Sequence, residues 1–211
     1  TTGTQTLGEF SPGTAWNRYL TYNSITDEYI IQDATTAVFD KGIGYSITCP
    51  ESTSSAVGTV IPHQFVGVPN NGDFTIPLYT PSGDIGLSLI GNPYPSALNV
   101  EEFIDENLYS INPATNTLTG TYYLWSHNNR VEGNDFSSDD YYTCNRSGAV
   151  GFAANGTGNN TIPTIYIPSG QGFFVENEVA GDLKFKNSMR EKNTPAQNPK
   201  ENANFYRTKN I

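Results

Sequence analysis

Basic residues are scarce in this chain: 11 Lys and Arg stand against 21 Asp and Glu in 211 residues, a net charge of −10. No run of more than two basic residues occurs. A phosphate backbone needs a basic patch, so nucleic acid is excluded as a partner. Anionic lipid surfaces are disfavoured for the same reason, and so are sulfated or uronic glycans unless a cation bridges them. There are two cysteines, Cys49 and Cys144, with no C-x-x-C spacing and no histidines around either, which argues against a structural zinc site. They read either as one disulfide formed in an oxidising compartment or as two unpaired thiols. Histidine is just as rare: His63 precedes a strand-like run, and His127 follows Trp125. With no G-x-S-x-G elbow, a Ser or Cys hydrolase has little to work with. No apolar run approaches the ~18 residues of a membrane helix, so no membrane insertion is expected. The chain opens on TTGTQTLGEF without a signal peptide and reads as a piece processed from something longer.

Glycine (20), tyrosine (13) and proline (13) are plentiful, and aromatics make up 12% of the residues. That mixture suits short strands joined by many turns and provides enough apolar surface for a core. Strand-like runs occur at 18–23, 28–32, 44–48, 64–68, 73–78, 86–90, 121–126, 164–167, 172–176 and 182–186. Almost all are bounded by Gly, Pro, Asn or Asp. The expected fold is a mostly β, antiparallel β-sandwich, jelly-roll-like, with one short α-helix near 99–108. Residues 1–189 form the module, and 190–211 supply a polar loop and a final extended segment near 204–207.

The helix follows a corner, GNPYPSALNVEEFI (91–104). Pro93 and Pro95 fix φ and hold Asn92 and Tyr94 extended, with either X-Pro bond free to be cis or trans. Asn99 then caps the helix and Glu102 completes a capping box, while Val100, Phe103, Ile104 and Leu108 face the core. This makes the corner a brace rather than a ligand site. The segments KGIGYSI (41–47) and SGQGFFV (169–175) share a glycine pattern, which marks either pseudo-symmetric halves or coincidence. Their glycines precede strands, so a phosphate cradle at a helix N-terminus is ruled out.

Two constellations carry candidate chemistry. Tyr123, Trp125, His127, Tyr141 and Tyr142 lie around one loop, and aromatics on a β platform stack on sugar rings. By strand alternation Tyr123 and Trp125 share one face and Tyr122 takes the other. Asp135, Asp139 and Asp140 in NDFSSDD provide carboxylates for calcium, without EF-hand spacing, or else form a solvated acidic turn. Calcium is the one cofactor the sequence admits. Among 21 acids a carboxylate pair for glycan hydrolysis stays open as a third reading.

Taken in order, LSLIGNPYPSALNVEEFI, YYLWSHNN, NDFSSDDYYTCN and IPSGQGFFVENEVAGDLKFKNSMR resemble a module of large secreted and cell-surface proteins of Bacteroidetes exported by the type IX secretion system. NRYLTYNSITDEYI, AVFDKGIGYSI and FVGVPNNGDFTIPL look like the same module, so the resemblance covers most of residues 7–207. It implies a secreted or surface location, a place beside other domains of a long adhesin-like or enzyme-bearing chain, and no catalytic residue. It also implies that a Cys49–Cys144 disulfide would be particular to this chain. The expected role is non-enzymatic adhesion or domain presentation, with neighbouring domains and surface proteins as partners. The alternative is a carbohydrate-binding module with a polysaccharide partner.

Overall fold

The computed structural model describes residues 3–50, 61–125, 141–149 and 163–191. It opens on a single helical turn, α1 (Leu7–Phe10), closed by a full capping box. The Thr6 hydroxyl accepts the Glu9 amide, and the Glu9 carboxylate accepts the amide of Thr6. Next, β1 (Tyr19–Asn23) and β2 (Glu28–Ile31) form a hairpin, and β3 (Ser46–Ile47) pairs with the other edge of β1. The hairpin turn has no glycine. Asn23 Oδ1 accepts the amides of Ile25 and Thr26, and Asp27 takes the left-handed conformation, φ 57°.

A five-stranded antiparallel sheet forms one layer of the fold. Its order is β5 (Gly86–Gly91), β11 (Gly172–Asn177), β7 (Leu118–Trp125), β8 (Tyr141–Asn145) and β9 (Gly148–Ala149). The opposing layer is built from smaller pieces. β4 (Phe74–Leu78) pairs with β12 (Gly181–Phe185), while β6 (Ala97–Asn99) lies between β10 (Tyr166–Ile167) and β13 (Arg190–Glu191). The helix α2 (Val100–Asn107) continues directly from β6. Among the described residues the fold is therefore the expected mostly β, antiparallel sandwich with one helix longer than a single turn, although its second layer is two short ladders and a helix rather than one sheet.

Strand alternation decides what enters the core. Tyr122, Leu124, Tyr142, Cys144, Phe173 and Val175 point inward from the large sheet; Ile76, Leu78, Leu98, Leu183 and Phe185 meet them from the small ladders. Val100, Phe103 and Ile104 of α2 complete one continuous cluster. Each fully buried phenylalanine in it contributes roughly 2–3 kcal/mol of burial. Asn107, at the end of α2, is buried among them. Its side-chain amide donates to the carbonyls of Phe103 and Lys184 and accepts the Lys184 amide, which ties the helix end to β12.

The two glycine segments do flank one strand. Ile43 bridges Ile90 from one edge of β5, and Phe173 pairs with the same Ile90 from the other. Gly42 and Gly170 both have left-handed φ, 81° and 74°. A Cβ on Gly44 would lie 2.6 Å from the Ile90 carbonyl oxygen, so only glycine allows this approach.

Three details differ from expectation, and one open choice is decided. Residues 64–68 form no named strand, because Gln5 intervenes: its side-chain amide bonds the Gln64 carbonyl and the Val66 amide. Arg190 and Glu191 are not loop but pair with Leu98 and Ala97. Only the Asn99 half of the α2 capping box forms, its Oδ1 accepting the Glu102 amide at 3.2 Å. Asn99 is still a strand residue opposite Tyr166, and its Nδ2 turns to Glu191. Of the two readings open for the cysteines, the structure has free thiols and not the candidate Cys49–Cys144 disulfide. Cys49 is exposed after β3, whereas Cys144 is buried on the inner face of β8 with its thiol toward the Tyr142 carbonyl.

Candidate functional site

The corner at 91–96 ties together segments far apart in the sequence. Its peptide bonds are all trans. Asn92 is buried, and its Nδ2 lies within hydrogen-bond reach of three carbonyls, those of Ser96, Ile167 and Pro168. Its Oδ1 accepts the Tyr94 amide, and its own amide donates to Gln171. A short amide is the side chain able to donate and accept in one tight turn. Tyr94 is 1% exposed, packs against Phe74 and Phe185, and donates its hydroxyl to the Gly72 carbonyl. Burial chiefly, helped by the Asp73 charge, pushes its phenol up to about 12.

Three further groups lock this corner from outside. The Ser169 hydroxyl donates to the Tyr94 carbonyl and Asn70 Nδ2 to that of Pro93. The Arg190 guanidinium lies 5.4 Å from the Tyr94 ring centroid and donates to Asn71, Asn187 and Ser96. The side chains of Asn92, Tyr94, Ser169, Asn70 and Arg190 thus bond within the protein at this corner, and Pro93, Pro95 and Asn99 lie in the same continuous turn and cap. Glu102 is exposed and contributes its backbone amide to the Asn99 cap.

The second assembly lies on the outer face of the five-stranded sheet. The residues alternating with the buried ones, Tyr123 and Trp125 on β7, Tyr141 on β8, and Phe174 and Glu176 on β11, all share it. Register brings Phe174 beside Tyr123 and Trp125 beside Tyr141. Trp125 and Tyr141 meet edge to face at 5.0 Å, and Tyr141 meets Phe174 at 5.8 Å. The β1–β2 hairpin crosses one side of this face. Tyr22 packs on Phe174 at 5.0 Å and on Tyr29 at 5.2 Å, and the Tyr29 hydroxyl lies 3.4 Å from that of Tyr141. Phe174 is buried as a result, while Tyr22, Tyr29, Tyr123, Trp125 and Tyr141 stay half-buried.

Polar groups border these rings. The Tyr123 hydroxyl donates to one carboxylate oxygen of Glu176 and the Thr119 hydroxyl to the other. Burial first, then the hydrogen bond and charge of Glu176, push the Tyr123 phenol up to about 12. Tyr22 is raised further still, by burial and then by its hydrogen bond to Asp27. The β7–β11 register shifts beside Glu176, between Val175 and Asn177, as a bulge does when it re-aims a side chain.

The structure thus brings together Tyr123, Trp125 and Tyr141 of the expected aromatic set and removes Tyr142, which is buried opposite Leu124. His127, Asp135, Asp139 and Asp140 lie outside the described residues. Sequence reasoning missed Tyr22, Tyr29, Phe174 and Glu176. All four sit in segments expected as strands, but GFFVE carries three successive apolar residues and hides which phenylalanine faces out. Where a hairpin lands on a sheet is a tertiary fact with no local signal.

The chain belongs to the family described as Domain of unknown function (DUF8693), whose family model matches residues 1–211. No curated protein and no solved structure matches it.

Proposed function

Starting from membership in that family, we propose that the chain is a non-catalytic extracellular module of a larger secreted or surface-attached protein, serving adhesion or the presentation of neighbouring domains. The observation that carries this reading is the interlocked corner. Asn92, Tyr94, Ser169 and Arg190 join segments far apart in sequence through side-chain bonds that are all internal. The chain's most rigid chemistry therefore holds shape instead of addressing a substrate. An acidic chain of net charge −10 is soluble and self-repelling, which suits an extracellular surface. The resemblance of the same corner to modules of type IX-exported Bacteroidetes proteins supports that location.

The test is to place the module between two well-folded reporter domains and follow its unfolding in urea. A presenting module keeps one cooperative transition at the midpoint it has alone, with either end occupied. Loss of cooperativity or a large drop in midpoint on fusion at either end contradicts the presentation reading. Failure to bind any cell-surface material contradicts the adhesion reading.

A further inference from the structure

We propose that the outer face of the five-stranded sheet is a binding platform for neutral glycans, with Tyr123, Trp125 and Tyr141 as its stacking surface and Glu176 as its polar anchor. The inference rests on the adhesion half of the reading above. A sugar ring offers an apolar C–H face and a rim of hydroxyls, so its receptor needs aromatic surface beside hydrogen-bond acceptors. Both stand here in adjacent positions. Trp125 and Tyr141 form one edge-to-face pair, and Tyr123 lies two residues before Trp125 on the same face.

Glu176 supplies the anchor. A carboxylate accepts about four hydrogen bonds, and the Thr119 and Tyr123 hydroxyls account for one on each oxygen. Each oxygen thus keeps acceptor capacity for a sugar hydroxyl. The platform is also braced: Phe174 on the same face is buried against Tyr22, and the Tyr22–Tyr29 pair holds one side. Ordering before binding lowers the entropy cost of association. Charge selects among glycans. Glu176 is the ionic group among the residues named, and the chain carries −10 overall, so sulfated and uronic polymers are repelled.

The sequence offers a reporter, since Trp16 and Trp125 are its two tryptophans. In W16F, titration with neutral manno-, gluco-, galacto- and xylo-oligosaccharides should give a saturable change in Trp125 emission for one class. The matching neutral polysaccharide should retard the wild-type chain in affinity electrophoresis. Trp125→Ala should abolish retardation with its circular dichroism unchanged, and E176Q, which preserves shape, should weaken it roughly tenfold. No retardation by any neutral polysaccharide, retardation by anionic polymers alone, or retention that survives both substitutions overturns the proposal. A chain that binds no glycan yet stays cooperative between reporter domains keeps the presentation reading, so the two failures are distinguishable.

Discussion

At the scale of single residues, Asn92 and Tyr122 mark opposite ends of polar satisfaction in the interior. Asn92 faces three carbonyls and one amide with one side chain. Asn92→Ala leaves buried carbonyls unpaired and should lower the unfolding free energy by about 3 kcal/mol, read from urea denaturation. Asn92→Asp should do no better, since it removes the donor and turns a carboxylate toward those carbonyls. Tyr122 is fully buried, and its hydroxyl has no hydrogen-bond partner of its own; it lies against the Cys144 thiol. Tyr122→Phe should therefore leave stability within about 0.5 kcal/mol of wild type or raise it. A drop above about 2 kcal/mol would mean that the hydroxyl matters to the packing of β7. The double role of Asn92 could be anticipated from GNPYP as rigid chemistry, but its carbonyl partners at 167 and 168 come from another strand and left no trace nearby. The interior direction of Tyr122 was legible only relative to Tyr123.

At the scale of elements, α2 shows what a short helix needs. Its cap is Asn99 alone, and Glu101 and Glu102 complement its positive end. Asn99→Ala should cost about 1 kcal/mol, whereas Glu102→Ala should cost well under half of that because its carboxylate makes no return bond; thermal melts of the two variants decide the order. On its outer side Arg146 bonds Asp105 through two nitrogens and reaches Glu101, an exposed group that tethers the β8–β9 turn to the helix. Strand existence was largely readable from period and punctuation: the runs expected at 18–23, 28–32, 73–78, 86–90, 172–176 and 182–186 each coincide with a strand to within a residue or so at either end. The miss at 64–68 has a particular cause, since the Gln5 side chain supplies the bonds a neighbouring strand would give. Ala97–Asn99 was hidden because the same residues begin the helix signal.

For the whole molecule, the buried and half-buried acids that resist ionisation set an alkaline limit. Burial pushes the Cys144 thiol from its ordinary 9.0 up to about 12, and Tyr22, Tyr29, Tyr45, Tyr94, Tyr122 and Tyr123 are raised above 10.0. A raised folded pKa gives stability that is complete below the unfolded value and is lost as pH rises through the folded one. Stability should thus hold to pH 9 and then fall toward pH 12, first through Cys144 and then through the phenols. In Cys144→Ala the fall should begin nearer pH 10, measured as urea midpoint against pH; an unchanged onset would show that the thiol ionises as freely in the folded chain. The class of fold was readable at this scale because composition and turn spacing are global properties. The platform was half-readable, since Tyr123 and Trp125 alternate within one strand while Phe174, Glu176 and the tyrosine hairpin arrive from elsewhere. One pairing has a consequence in time as well as in space. Gly91 in β5 meets Gly172 in β11, so a chain emerging from a ribosome carries β5 unsheltered on that edge until β11 has followed. The five-stranded sheet therefore cannot close before β11 is available, a long-range pairing of the kind that slows folding.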